Sequence, residues 1–329
     1  MASIFTYSNG DTSQSIHTTI TSSSYDNQKT LVSVSIGSSA ISIGDYVFYD
    51  ASGLTSVTIS SSVNSIGIGA FYGASSLSSV TFDAGSQLTS IGNDVFRNTG
   101  LTSISIPASV NSIGQNAFYG ASSLSSVTFK AGTQLASIGH SAFRDTALTT
   151  ITFPASVTSI EYSAFINASS LSSVTFKEGS LLTSIATDTF NNTGLTSITI
   201  PASVNSIGSN AFYLSSSLIS VTFAEGSQLT SIGNNVFRNT GLTSITIPAN
   251  VNSIGTNAFT DSSLSTVYIE NDQVISGISI TSPATGVNFF GKNVTTVLPE
   301  PAPDPESSVV PICFPGGTPV MTNKGEVAI

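Results

Sequence analysis

Charge is what this sequence has least of. Its 329 residues include only 8 Lys+Arg and 18 Asp+Glu, 8% charged with a formal net charge of -10, against about 25% in an ordinary soluble domain. With so few cations there is no basic surface to displace phosphate counterions, which excludes nucleic acid as a default partner. Cysteine is almost absent: Cys313 stands alone, so a disulfide scaffold is excluded. No run of about 18 apolar residues occurs, and no membrane insertion is expected. Met1-Ala2-Ser3-Ile4-Phe5-Thr6 has neither a basic stretch nor an apolar core, so it does not read as a signal peptide. Disorder is not expected either, with 40% hydrophobic residues and a mean hydropathy of +0.28.

What is present is Ser, Thr and Gly in a repeat. A phenylalanine closes one short phrase ten times: Phe48, Phe71, Phe96, Phe118, Phe143, Phe165, Phe190, Phe212, Phe237 and Phe259. After the first gap of 23, the spacing alternates 25 and 22, a superperiod of 47. The phrase is Ser-Ile-Gly-x-x-Ala-Phe in its commonest form, as at Ser112–Phe118. A second phrase, Leu-x-x-[Val/Ile]-x-[Ile/Phe], begins at Leu31, Leu54, Leu77 and eight further leucines at intervals of 22 to 24. Its apolar residues alternate, as Val80 and Phe82 do around Thr81, which predicts a short strand with one face inward. The Ala-Phe phrase is too short for a free helix and is predicted to make one helical or 3₁₀ turn.

One such unit cannot stand alone. Five or six buried side chains contribute roughly 1.5–3 kcal/mol each, while ordering the backbone costs about 1–2 kcal/mol per residue. Stacked neighbours share a continuous core and a parallel ladder. Pro107, Pro154, Pro201 and Pro248, 47 apart, end the strand phrase where a missing N–H is tolerated. Gly100, Gly194 and Gly241 precede their leucines, but Ala147 in the same place implies that positive φ is not required there.

The combined pattern, seen at 242–259 as LTSITIPANVNSIGTNAF, resembles the BspA/Treponema-type leucine-rich repeats. The resemblance implies an α/β fold: a leucine-rich repeat solenoid with a parallel sheet of short strands and helical or 3₁₀ turns opposite. It also implies a non-enzymatic, adhesin-like module that binds protein or glycan, in an extracellular or surface protein of microbial or viral origin. The expected organisation is an N-terminal cap over 1–30 with Asn9-Gly10 as a hairpin turn, the solenoid over 31–270, and a terminal cap over 271–297. A Pro-rich acidic linker over 298–312 and a distinct segment over 313–329 follow.

The outward residues of the strand phrase form columns of hydroxyls. One reads Thr58, Thr81, Ser105, Thr128, Thr152, Thr175, Thr199, Thr222, Thr246 and Tyr268. Two readings stand: hydroxyls that solvate a sheet without charge repulsion, or a lattice that meets a repetitive surface such as glycan or ice. A curved sheet fits flat ice poorly. Protein-binding hot spots favour Tyr and Arg, and these concentrate after the phenylalanine. Tyr72, Tyr119 and Tyr213 form one column and Arg97, Arg144 and Arg238 another, which makes these six the binding candidates.

No catalytic constellation is visible. His17 and His140 are far apart and do not make a metal site, and no calcium loop, phosphate-binding glycine loop or Gly-x-Ser-x-Gly occurs. No metal or cofactor is expected. Cys313-Phe314-Pro315-Gly316-Gly317-Thr318-Pro319-Val320 resembles the start of a hedgehog/intein (Hint) autoprocessing domain. That resemblance implies Cys313 as the nucleophile toward the Ile312–Cys313 bond in a longer parent. The Thr-x-x-His and His-Asn groups of that chemistry are missing here, so this chain is not expected to cleave itself.

Overall fold

The computed structural model describes residues 1–15, 19–20, 30–264, 266–269, 279–280 and 288–290. The solenoid lies within a compact unit spanning Met1–Val297. The strand phrase forms strands as its alternation predicts: in Ser103–Ile106, Ile104 and Ile106 are buried while Ser103 and Ser105 are exposed. Successive strands pair in parallel, equivalent residue against equivalent residue, with Ser103 opposite Ser126 and Ile106 opposite Phe129. A second ladder comes from the Ser-Ile pairs, where Ser112–Ile113 lies between Ser90–Ile91 and Ser137–Ile138. Ser3–Tyr7 and Thr12–Ser15 pair antiparallel around Asn9-Gly10, and the first of them joins Leu31–Ile36 antiparallel. At the far end, Ser279–Ile280 and Asn288–Phe290 extend the two ladders in parallel.

The longer ladder carries the 47-residue superperiod. Thr150–Phe153 and Ser173–Phe176 share a four-residue register, as do Ser197–Ile200 and Ser220–Phe223. Between those pairs only Ser173 opposite Ser197 remains. The ladder opens altogether between Phe82 and Ser103 and between Phe223 and Ser244.

The expected helical or 3₁₀ turns are not there. Among the described residues no helix of any kind occurs, so the fold is an all-β solenoid rather than α/β. The reason lies in two columns that flank each Ala-Phe. Two residues before the alanine's phenylalanine stand Asp94, Asn116 and their equivalents, and two after it stand Asn98, Gly120 and theirs, all with φ between +52° and +74°. In every one of the ten coils a left-handed residue recurs at both places, and all non-glycine residues with positive φ among those described fall in these two columns. A right-handed helix cannot pass through a left-handed residue every fourth position.

The backbone bonds show what replaces it. Gly69, Phe71 and Gly73 donate their N–H groups to Asn93, Val95 and Arg97 of the next coil at 2.9–3.0 Å. The intervening Ala70, Tyr72 and Ala74 donate to carbonyls three residues back. Alternate N–H groups thus serve the neighbouring coil and the local turn. Glycine, Asn and Asp fill most of the left-handed places because they tolerate that region. The close approach also explains the glycine of Ser-Ile-Gly: a Cβ on Gly114 would meet Asn93 Oδ1 at 2.5 Å and the Gly92 carbonyl carbon at 2.8 Å. Gly100, as expected, has no positive φ; its Cβ would collide with the Ser75 carbonyl oxygen.

Inside, the phrase phenylalanines form one stack. From Phe48 to Phe259 successive rings lie 5.0–5.7 Å apart between centroids and within 20° of parallel. The leucines from Leu31 to Leu242 are fully buried beside them. Thr99, Thr146, Thr193 and Thr240, three residues after their phenylalanines, are also buried and donate their hydroxyls to the phenylalanine carbonyls at 2.7–3.0 Å.

Two predictions follow from this packing. Phe143→Ala removes a ring stacked on both sides and is expected to destabilise the solenoid by about 3–5 kcal/mol in urea denaturation; an unchanged midpoint would show that the stack carries no stability. Asn98→Gly is expected to be near neutral, whereas Asn98→Ala costs about 1–2 kcal/mol. A helical turn would give the opposite order, because alanine then outranks glycine.

Candidate functional site

The hydroxyl columns lie where the sequence puts them. Thr81, Thr128, Thr152, Thr175, Thr199, Thr222 and Thr246 are exposed, and Thr58 is half-buried. Cross-strand register brings them side by side: Thr58 faces Thr81, Thr152 faces Thr175, and Thr246 faces Tyr268. The Thr199 and Thr222 hydroxyls are 2.9 Å apart and bond to one another. This face offers donors and acceptors at each rung but no charge.

The tyrosines and arginines are a single column. Each directly follows its phenylalanine, and the alternation that separates them in sequence interleaves them in space. Tyr49 stacks on Tyr72 at 5.2 Å. The Arg97 guanidinium lies between two rings, 5.2 Å from the Tyr72 centroid and 4.6 Å from Tyr119. Arg144 also lies over Tyr119, 5.1 Å from its centroid, and Arg238 sits 5.9 Å from Tyr213. Ile166 and Asn191 interrupt the column between these groups. Each guanidinium also has a carboxylate: Arg97 with Asp94 at 3.0 Å, Arg144 with Asp145 at 3.3 Å, and Arg238 with Asp261 at 3.2 Å. The six candidates therefore bond chiefly to one another and to their aspartates. They stiffen the edge and leave only part of their surface for a partner.

Three residues that sequence reasoning passed over depart from the repeat, two of them at this edge and the third just before the strand Ser220–Phe223. Tyr46 and Leu214 occupy left-handed places, with φ of +54° and +61°, that nearly every other coil gives to Gly, Asn, Asp or Ser. Both are exposed, as is Ile219 at 63%. Ile219 stands where Ser78, Ser125 and Ser172 donate their hydroxyls to carbonyls of the preceding coil; the isoleucine keeps only its backbone bond to Thr196. Aligning the segments 71–79, 118–126, 165–173 and 212–220 by the phenylalanine spacing makes Leu214 and Ile219 readable without coordinates, and extending the alignment to 46–48 does the same for Tyr46.

Other features are local. His140 stacks on Tyr162 at 4.7 Å, and its backbone N–H donates to Glu161 Oε2 at 3.0 Å. Among the described residues no three His, Cys, Asp or Glu side chains converge as metal ligands, and no helix is long and apolar enough to cross a membrane. Where the ladder narrows between Ser173–Phe176 and Ser197–Ile200, a crevice of about 500 Å³ opens beside Phe176, Lys177 and Pro201. His17, the linker and Cys313 lie outside the described residues.

Comparison with known proteins agrees with the repeat. The profile described as BspA type leucine rich repeat region matches residues 18–137, 89–218 and 136–266. No curated protein matches the chain. Among solved structures, a leucine-rich repeat protein from Bacteroides ovatus is 22% identical with a TM-score of 0.57, over 88% of this chain and 66% of that one. This chain thus spans slightly less than two thirds of that protein, and the likeness is one of fold. The pneumococcal vaccine antigen PcpA is 23% identical over 79% of each chain with a TM-score of 0.47. A leucine-rich repeat protein from Eubacterium ventriosum is 22% identical over 80% of this chain and 82% of its own, with a TM-score of 0.43. Nothing among these comparisons supports the Hint resemblance of 313–329. Repeat phrase, parallel ladders and matched profile coincide over most of the sequence, and the chain belongs to the BspA-type leucine-rich repeat family.

Proposed function

We propose that the chain is a non-enzymatic binding module, presented outside or on the surface of a cell or particle, that engages a partner protein along the edge formed by the left-handed turns. The family supports a binding role, and family resemblance supports the location. One observation carries the choice of edge: Tyr46 and Leu214 are exposed there at left-handed places that disfavour bulky side chains. Tyr46 and Leu214 in left-handed conformation each cost about 1–2 kcal/mol, and Ile219, before the strand that follows Leu214, gives up a hydroxyl bond worth about 1 kcal/mol. None of the three is buried, so the core gains nothing in return. Changes that lower stability while exposing large apolar side chains are the mark of a contact surface.

The hydroxyl face shows no such departure. Its columns are uniform and free of aromatic or charged anchors up to Tyr268, and they serve this reading as a solvated face.

The test restores the repeat. A variant with Tyr46→Asn, Leu214→Gly and Ile219→Ser is expected to melt higher than the natural chain and to lose retention on arrayed extracellular proteins. Retention that persists in the restored variant would place binding on another face. Silence of the natural chain on both protein and glycan arrays would leave it a spacer.

A further inference from the structure

We propose that the first two coils form a docking platform for a basic segment of a partner protein, built by Tyr46, Tyr49 and Tyr72 with the carboxylates of Asp45 and Asp50. This rests on the binding-module reading above and names the chemistry recognised at one end of the edge. Tyr46 meets Tyr49 edge-on at 6.0 Å between centroids, and Tyr49 stacks on Tyr72. Tyr46 is 48% exposed, Tyr49 44% and the adjoining Ile68 44%. The cluster is one continuous apolar surface of the kind that anchors protein contacts.

The backbone is arranged to hold it. A bulky residue at positive φ is an outlier, and Tyr46 is held at +54°. In the next coil the equivalent residue is Gly69, and a Cβ there would collide with the Tyr46 ring. Two neighbouring coils thus differ from the repeat together, one to present a ring and one to make room for it.

The same edge shows which ligand such rings take. Further along, Arg97, Arg144 and Arg238 lie over tyrosine faces, each with an aspartate at its polar side. At Tyr46 and Tyr49 the rings and the acids are present without the cation. Asp45 and Asp50 are both exposed, and no ion pair joins either to a described residue. Asp45 spends Oδ1 on the Ile68 N–H at 2.7 Å, which leaves Oδ2 available. An arginine or lysine brought by a partner completes the arrangement that the chain builds for itself elsewhere, by cation–π contact and a carboxylate bond. The net charge of -10 favours encounter with a basic partner. A neutral glycan would use the rings and leave the acids idle.

The test is random-peptide display panned on the full chain and on its Tyr46→Asn, Tyr49→Ser and Tyr119→Ser variants. Enriched peptides are expected to carry Arg or Lys, to bind more weakly as salt rises, and to lose about tenfold in affinity with Tyr46→Asn, the scale of a desolvated cation–π contact. That variant puts a left-handed-tolerant residue at a left-handed site, so its denaturation midpoint should rise while binding falls, which separates lost contact from lost fold. Enriched peptides without basic residues overturn the proposal, as do basic peptides whose capture survives both Tyr46→Asn and Tyr49→Ser. Capture lost only with Tyr119→Ser overturns the platform but keeps the edge as the binding surface. Glycan-array retention that depends on Tyr46, with no peptide enriched, replaces the basic partner by a sugar. No selective capture of any kind removes both the platform and the edge.

Discussion

Backbone hydrogen bonding between coils is the constraint on which this molecule depends. At the Ala-Phe turns from Phe48 to Phe237 alternate N–H groups point along the axis and find their acceptors in the following coil. A coil taken alone would leave those donors orphaned beside an apolar core, and a buried N–H without a partner is costly. The left-handed residues make this geometry possible by turning the chain without ending the ladder. The phenylalanine stack, the buried leucines and the column of Tyr and Arg are consequences of it. Once equivalent residues are held about one rung apart, any side chain repeated in sequence becomes a stack in space.

Much of the fold was legible because its period is so regular. The spacing of Leu and Phe identified the strands, their parallel register and the buried columns from Leu31 to Leu242 without any appeal to propensity. The Ala-Phe turn was misread because alanine and phenylalanine by themselves say nothing about φ. The signal lay beside them, in Asp94, Asn116, Asn98 and Gly120, whose types vary from coil to coil while their tolerance of the left-handed region does not. The site was legible in its residues and not in its arrangement. Counting by 47 separated Tyr72 and Tyr119 from Arg97 and Arg144, although each lies one coil from the next and they form one series. Tyr46, Leu214 and Ile219 went unseen because an exception is visible only against a column, and these columns emerge only when coils of unequal length are aligned on their phenylalanines.

The near absence of charge fits the same picture. Like charges at every rung would repel along the whole axis, whereas Ser and Thr hydroxyls satisfy one another, as Thr199 and Thr222 do, or bond to water. The three arginines described on the edge are each matched to an aspartate. Polarity without repulsion therefore comes from hydroxyls, and Arg97, Arg144 and Arg238 on the turn edge lie against tyrosine rings.

The alternation of full and single-residue register in the longer ladder has an evolutionary corollary. Neighbouring coils are not interchangeable, since the phenylalanine gaps alternate 25 and 22. From Phe71 onward, deleting one coil would juxtapose two of the same type, whereas duplicating or excising a pair keeps the order of the two types. From Phe71 onward the repeating module is thus the doublet, and an insertion or deletion of 47 codons is the change that preserves its order.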